Sequence, residues 1–133
     1  ILNIASTSAY MPYPLISIYG PSKLYIRNFT KAMRNELHAK NIYVSCILTR
    51  AVDTNLLLLS ASKKKLAKRL GIMHSPEFIA KRGLHILFKN KGELVPGLLN
   101  KLSLILLKLV PNFVIRKLFQ LWKRSKLDKK NDL

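Results

Sequence analysis

Acidic side chains are scarce: the 133 residues hold six Asp plus Glu against 24 Lys plus Arg, a formal net charge of +18. A single cysteine, Cys46, excludes an internal disulfide framework and any zinc site built on several thiolates, so nothing points to an oxidising compartment. His38, His74 and His85 show no metal-ligand spacing. The five glycines nowhere form G-x-G-x-x-G, and the phosphate cradle that motif builds is missing. No run of about 20 apolar residues occurs. The nearest, Leu98 to Val110, is broken by Lys101 and Lys108 and meets Pro111, which argues against a transmembrane helix. Nucleic acid is not an expected partner, because no helix-turn-helix, zinc-finger or aromatic RNA-binding pattern accompanies the charge.

What is present is hydrophobic material. With 49% apolar residues the chain is no basic disordered tail, and its length allows one domain at most. It opens on ILNIAS, already strand-like, as a sequence that starts in mid-fold. Ile1 to Ala5 reads as a buried parallel strand, closed by Ser6, Thr7 and Ser8. After a stretch punctuated by Pro12, Pro14, Gly20 and Pro21, apolar residues Leu24, Ile26, Phe29, Ala32, Met33 and Leu37 predict an amphipathic helix over 22–40. Asn41 ends it, being tolerant of the left-handed conformation, and IYVSCIL over 42–48 predicts a second buried strand.

Strand, helix, strand in this spacing is a βαβ unit with parallel strands, so the fold class is α/β. A basic helix follows over 62–70, ended by Gly71. Ser75, Pro76 and Glu77 start another: a capping hydroxyl, a proline at the first helical position, and a carboxylate at the positive end of the dipole. That helix is expected to run to about Lys89. Gly92 to Pro96 predicts a brief third strand, and Leu98–Val110 and Asn112–Lys126 two helices hinged at Pro111, before a frayed DKKNDL tail.

Chemistry is concentrated in Ser6, Tyr19 and Lys23. Tyr19 and Lys23 are four apart, one helical turn, so they share a face. An ammonium beside a phenol favours the phenolate, and a hydroxyl at the end of the preceding strand can donate to a carbonyl oxygen as charge develops there. These are the parts for proton transfer to or from an alcohol or ketone. The pair alone is also common on solvated helix faces; the surrounding string carries more weight. Asn3, Ser6, and then TyrGlyProSerLys beginning thirteen residues past the serine follow a buried strand. This resembles the short-chain dehydrogenase/reductase family, whose strand ends in Asn-x-Ser-Ser or a close relative ahead of a Tyr-x-x-x-Lys signature. The resemblance spans roughly residues 1 to 100.

The resemblance implies an NAD- or NADP-dependent oxidoreductase that interconverts a ketone and a secondary alcohol. Tyr19 would be the general acid or base, Lys23 would favour its phenolate and hold the nicotinamide ribose hydroxyls, and Ser6 would polarise the substrate carbonyl. Val52 and Thr54 match the loop that seats the nicotinamide end, Pro-Gly-x-Val-x-Thr in the family. Here Thr49 and Arg50 stand in place of the Pro-Gly, and an arginine resists backbone conformations that glycine permits. The implied fold is the C-terminal half of a Rossmann-type doubly wound parallel sheet of about three strands, over residues 1–97, followed by basic amphipathic helices over 98–133. Because the glycine-rich half is not here, the chain reads as part of a longer enzyme, inactive by itself. Standing alone, its first strand would present an unpaired edge.

Weaker signals complete the reading. Cys46 is expected to be a buried small hydrophobe. Tyr10, Met11 and Tyr13 either line a substrate pocket or pack the loop. The helix over 22–40 is a candidate homodimer surface, as in many members of the family. From Pro111 onward seven Lys or Arg face two Asp, interleaved with Phe113, Val114, Leu118, Phe119, Leu121 and Trp122. That pattern suits either packing over a cleft or lying on an anionic bilayer, which would favour a hydrophobic carbonyl or alcohol substrate. The expected location is cytoplasmic or peripheral at a membrane surface. A degenerate, non-catalytic module that binds anionic membranes through the basic C-terminal helix is the alternative to the enzyme.

Overall fold

The computed structural model describes residues 1–10, 14, 16–53 and 60–131, with side chains at 107–108 and 123–131 outside the description. Strand β1 (Leu2–Ser6) lies parallel to β2 (Ser45–Thr49), with Leu2 opposite Ser45 and Ser6 opposite Thr49. The short β5 (Glu93–Leu94) adds on the far side of β2, parallel again, giving the order β1-β2-β5. This is the expected three-stranded parallel sheet. A second ribbon was not legible beforehand: β3 (Ala51–Val52) pairs in parallel with β4 (Met73–His74).

Helices cover both faces of the sheet. On one, Ala5, Cys46 and Leu48 pack with Ile26 of α1 (Tyr19–Leu37), with Val95, and with Ala9 and Tyr10 of the 3-10 turn Thr7–Tyr10. On the other, Leu2, Ile47 and Leu94 meet Ile79 and Ile86 of α3 (Pro76–Phe88). The alternation of side chains along a strand sets this division. Every core position of β2 is buried, which is why its sequence is a nearly continuous apolar run. Among the described residues β1 pairs with β2 alone, and Ile4, on the same face as Leu2, is 56% exposed.

Three boundaries depart from expectation. The first helix starts at Tyr19, so the tyrosine is its first residue; it ends at Leu37 and tightens into a 3-10 turn over His38–Lys40. Pro21 is tolerated because the first-turn N–H groups have no helical acceptor. Asn41 then adopts the left-handed conformation, φ 55°, and its N–H reaches His38 O at 3.1 Å. The second strand begins at Ser45 rather than Ile42, and Ile42 and Tyr43 are exposed. The ladder begins only where β1 does, as Ser45 N donates to Ile1 O, while Val44 O is taken by the Arg34 guanidinium at 2.9 Å. The apolar stripe of α1 also divides: Ile26 faces the core, whereas Leu24 and Phe29 are exposed and line a shallow outer groove with Pro21, Tyr25, Asn28 and Ala32.

The remaining helices follow their caps. The α2 helix (Ala61–Arg69) ends before Gly71, φ +65°, and Asp53 at the end of β3 pairs with Lys64 and Lys68 on it. Ser75 caps α3 by accepting from Phe78 N at 3.2 Å. Helices α4 (Leu98–Lys108) and α5 (Asn112–Asn131) flank Pro111, and α5 continues through most of the tail expected to fray, there being no Pro or Gly within it. No helix among the described residues is long and apolar enough to cross a membrane.

Candidate active site

In a parallel βαβ unit the crossover helix begins beside the C-terminal end of the strand before it, and that rim is where open α/β sheets bind ligands. Ser6 is the last residue of β1, 5% exposed, and its Oγ accepts from Ser8 N at 3.2 Å, which holds the 3-10 turn. Across the ladder Thr49 donates through Oγ1 to Ala5 O at 3.3 Å. Tyr19 opens α1 and Lys23 lies one turn further, its Nζ 5.5 Å from the centroid of the phenol ring, a cation–π contact. Tyr19 is 48% exposed and Lys23 half-buried. The fold thus joins Tyr19 to Lys23 directly, while Ser6 sits on the neighbouring element with its hydroxyl turned to its own turn.

The loop after β2 departs from glycine without strain. Arg50 has no positive φ; it bends the chain between β2 and β3, and its Nη1 donates to Ser103 Oγ of α4 at 3.1 Å. Val52 follows on β3, half-buried against the Ile47 cluster. Thr54 lies outside the described residues, as do Met11 and Tyr13.

The family model described as short chain dehydrogenase matches residues 1–65, which carry Ser6, Tyr19 and Lys23. Over those residues the chain matches the short-chain dehydrogenase/reductase family. Human 17-beta-hydroxysteroid dehydrogenase type 3 is 41% identical over 54 residues, 41% of this chain and 17% of that one. Human very-long-chain 3-oxoacyl-CoA reductase is 29% identical over 120 residues, 84% of this chain and 36% of that one. A short-chain dehydrogenase from Sphingobium yanoikuyae, solved in complex with NADPH, superposes with a TM-score of 0.57 at 18% identity, covering all of this chain and 45% of its own. The chain therefore spans less than half the length of the relatives it matches.

The sheet face that α1 covers also carries a polar cluster, level with Cys46, that the sequence pattern did not reveal. Tyr10 OH donates to Glu93 Oε1 at 2.6 Å, and the Arg27 guanidinium stacks 4.5 Å above the Tyr10 ring. Arg27 Nε stands 2.7 Å from Glu93 Oε2, charge against charge without an aligned N–H, and Arg27 Nη2 reaches Oε1 at 3.4 Å. Lys31 Nζ is 3.6 Å from Oε2. Burial pushes against the Glu93 carboxylate, but hydrogen bonds from Tyr10 and Arg27 and nearby positive charge hold it below the usual carboxylate range. Burial first, then the Glu93 bond and charge, pushes the Tyr10 phenol up to about 12. One signal was available: Tyr19, Lys23, Arg27 and Lys31 recur every fourth residue, a ladder along one helix face.

Proposed function

We propose that the protein to which this chain belongs is an NAD(P)-dependent reductase or dehydrogenase interconverting a ketone and a secondary alcohol. The observation that carries the reading is the Lys23 ammonium held over the Tyr19 ring at the rim of the sheet. Among the described residues neither the Tyr19 hydroxyl nor the Lys23 ammonium is spent on a hydrogen bond or ion pair, so both retain capacity for a ribose hydroxyl and a substrate oxygen. The residues present fit the nicotinamide end of the cofactor; when bound, the cofactor supplies or accepts the hydride. Tyr19 gives or takes the proton at the substrate oxygen, Lys23 favours its phenolate and holds ribose hydroxyls, and Ser6 donates to the carbonyl oxygen. Val52 and Thr54 seat the nicotinamide. Residues 1–97 form the enzyme half-domain and 98–133 a helical extension, and the segment alone is inactive.

The substrate class follows from the relatives' names, which specify a steroid and a very-long-chain acyl-CoA: a hydrophobic carbonyl compound. The test is NADPH oxidation by the complete protein with a 17-ketosteroid and with a long-chain 3-oxoacyl-CoA. Tyr19→Phe is expected to lower kcat by about 10²–10⁴-fold with thermal stability unchanged. Undiminished turnover in that variant sinks the mechanism.

A second reading concerns membranes. Leu102, Ile105, Leu106 and Leu109 of α4 and its following turn, and Phe113, Leu118 and Leu121 of α5, are exposed among Lys101, Arg116 and Lys117. This surface suits an anionic bilayer, with or without catalysis. Sedimentation with phosphatidylserine vesicles that weakens steeply as salt rises is the expected result; binding that ignores salt dismisses it. The outer groove of α1 suits a second copy of the chain, and sedimentation equilibrium of the complete protein tests for the dimer.

A further inference from the structure

We propose that Glu93 is a positioning residue for this site: its one carboxylate gathers Tyr10, Arg27 and Lys31 and so sets the segment bearing Ser6 and the helix bearing Tyr19 and Lys23 in a fixed relation. The inference rests on the reductase reading above.

The three partners come from the two segments that carry the candidate catalytic groups. Tyr10 closes the 3-10 turn that begins immediately after Ser6. Arg27 and Lys31 lie one and two turns beyond Lys23 on the Tyr19 face of α1. Glu93 comes from neither; it stands on β5, whose backbone is pinned to β2 through the register of Cys46 with Glu93. A strand paired to β2 therefore holds the acceptor, and both segments dock on it. The two oxygens divide the work: Oε1 takes the Tyr10 hydroxyl and Arg27 Nη2, and Oε2 faces Arg27 Nε and Lys31 Nζ. Arg27 is tied a second time, by its stacking over the Tyr10 ring.

The charge pattern explains why a carboxylate is needed there. Lys23, Arg27 and Lys31 form a row of cations one turn apart, and like charges at that spacing repel. Glu93 neutralises the lower two and leaves Lys23 for the Tyr19 ring. Its side chain is 24% exposed and that of Arg27 16%, so solvent does little of this screening. Removing the acceptor frees the turn after Ser6 to shift relative to Tyr19, and small misplacements of reacting groups cost large factors in rate.

The experiment uses the complete protein with NADPH and the better of the two carbonyl probes, and compares Glu93→Gln, Glu93→Asp, Tyr10→Phe and Tyr19→Phe. Glu93→Gln is expected to lower kcat by about tenfold while both KM values stay within about twofold, and Glu93→Asp to recover most of the loss. Should Glu93→Gln not fold, Tyr10→Phe keeps the ion pairs and is expected to lower kcat by about threefold. A kcat left at the wild-type value in Glu93→Gln, or in Tyr10→Phe where that variant stands in, overturns the role whatever happens to thermal stability; so does a change confined to KM. Wild-type activity lost in Tyr19→Phe but kept in Glu93→Gln defeats the positioning role alone. A wild-type protein inert toward both probes, or a Tyr19→Phe variant as active as wild type, defeats the reductase reading and this inference with it.

Discussion

Asn3 of β1 donates through Nδ2 to Thr30 Oγ1 of α1 at 2.9 Å, and Thr30, 1% exposed, donates its own hydroxyl to Ile26 O at 2.7 Å. A buried hydroxyl thus spans the space between the strand ending in Ser6 and the helix beginning with Tyr19. Thr30→Val keeps the shape and removes the acceptor, which strands the Asn3 amide. Urea denaturation of the complete protein is expected to show a loss of about 1–3 kcal/mol. A loss near zero would mean that water replaces Thr30 at Asn3.

Gly97 precedes α4 with φ +86°, and a Cβ there would stand 2.8 Å from Gly71 O and 3.1 Å from Asn100 Nδ2. That amide is itself engaged, donating to Pro96 O at 2.8 Å. Gly97→Ala therefore meets both backbone strain and a fixed carbonyl. It is expected to cost at least about 1–3 kcal/mol in the same denaturation assay, the range for the φ alone. Gly71 also has positive φ but open space around its Cβ position, so Gly71→Ala is expected to cost less.

Stability should depend on pH at both ends through the same cluster. The Glu93 carboxyl is held below its ordinary value in the fold, so in acid the unfolded chain binds the proton first. Its contribution is complete above the ordinary carboxylate value of about 4.3 and is lost as pH falls through the lower folded one. Tyr10 has the opposite sign. Its folded value of about 12 lies above the ordinary 10.0, so its contribution is complete below the ordinary value and is lost as pH rises toward the folded one. Thermal denaturation against pH should show a shallower acid limb in Glu93→Gln and a shallower alkaline limb in Tyr10→Phe than in the wild type. Limbs parallel to wild type would show that neither group is linked to folding.

Much of this architecture was legible because it depends on local pattern. The βαβ unit follows from two apolar runs around a helix-period segment, and the SerProGlu start of α3 from capping chemistry that acts within four residues. Cys46 reads as a small hydrophobe and is buried in β2. Where neighbours in space decide, local pattern is not enough. Ile42 and Tyr43 look like strand residues, yet the strand begins only where β1 offers a partner. Leu24 and Phe29 look like core residues, yet α1 turns them away from the sheet because Ile26 and Thr30 occupy that face.

The amino-acid order by itself determined the α/β class, the parallel crossover and the pairing of Tyr19 with Lys23, since a four-residue interval on a helix is a distance as well as a spacing. Only the tertiary structure decided the partner of Glu93. Tyr10 and Arg27 lie 83 and 66 residues from it along the chain, and they meet because β5 pairs with β2 in the register that sets Glu93 beside Cys46, on the sheet face that α1 covers. No local pattern encodes that approach: it is set by which strand docks beside which, and strand order is fixed by burial over the whole sheet.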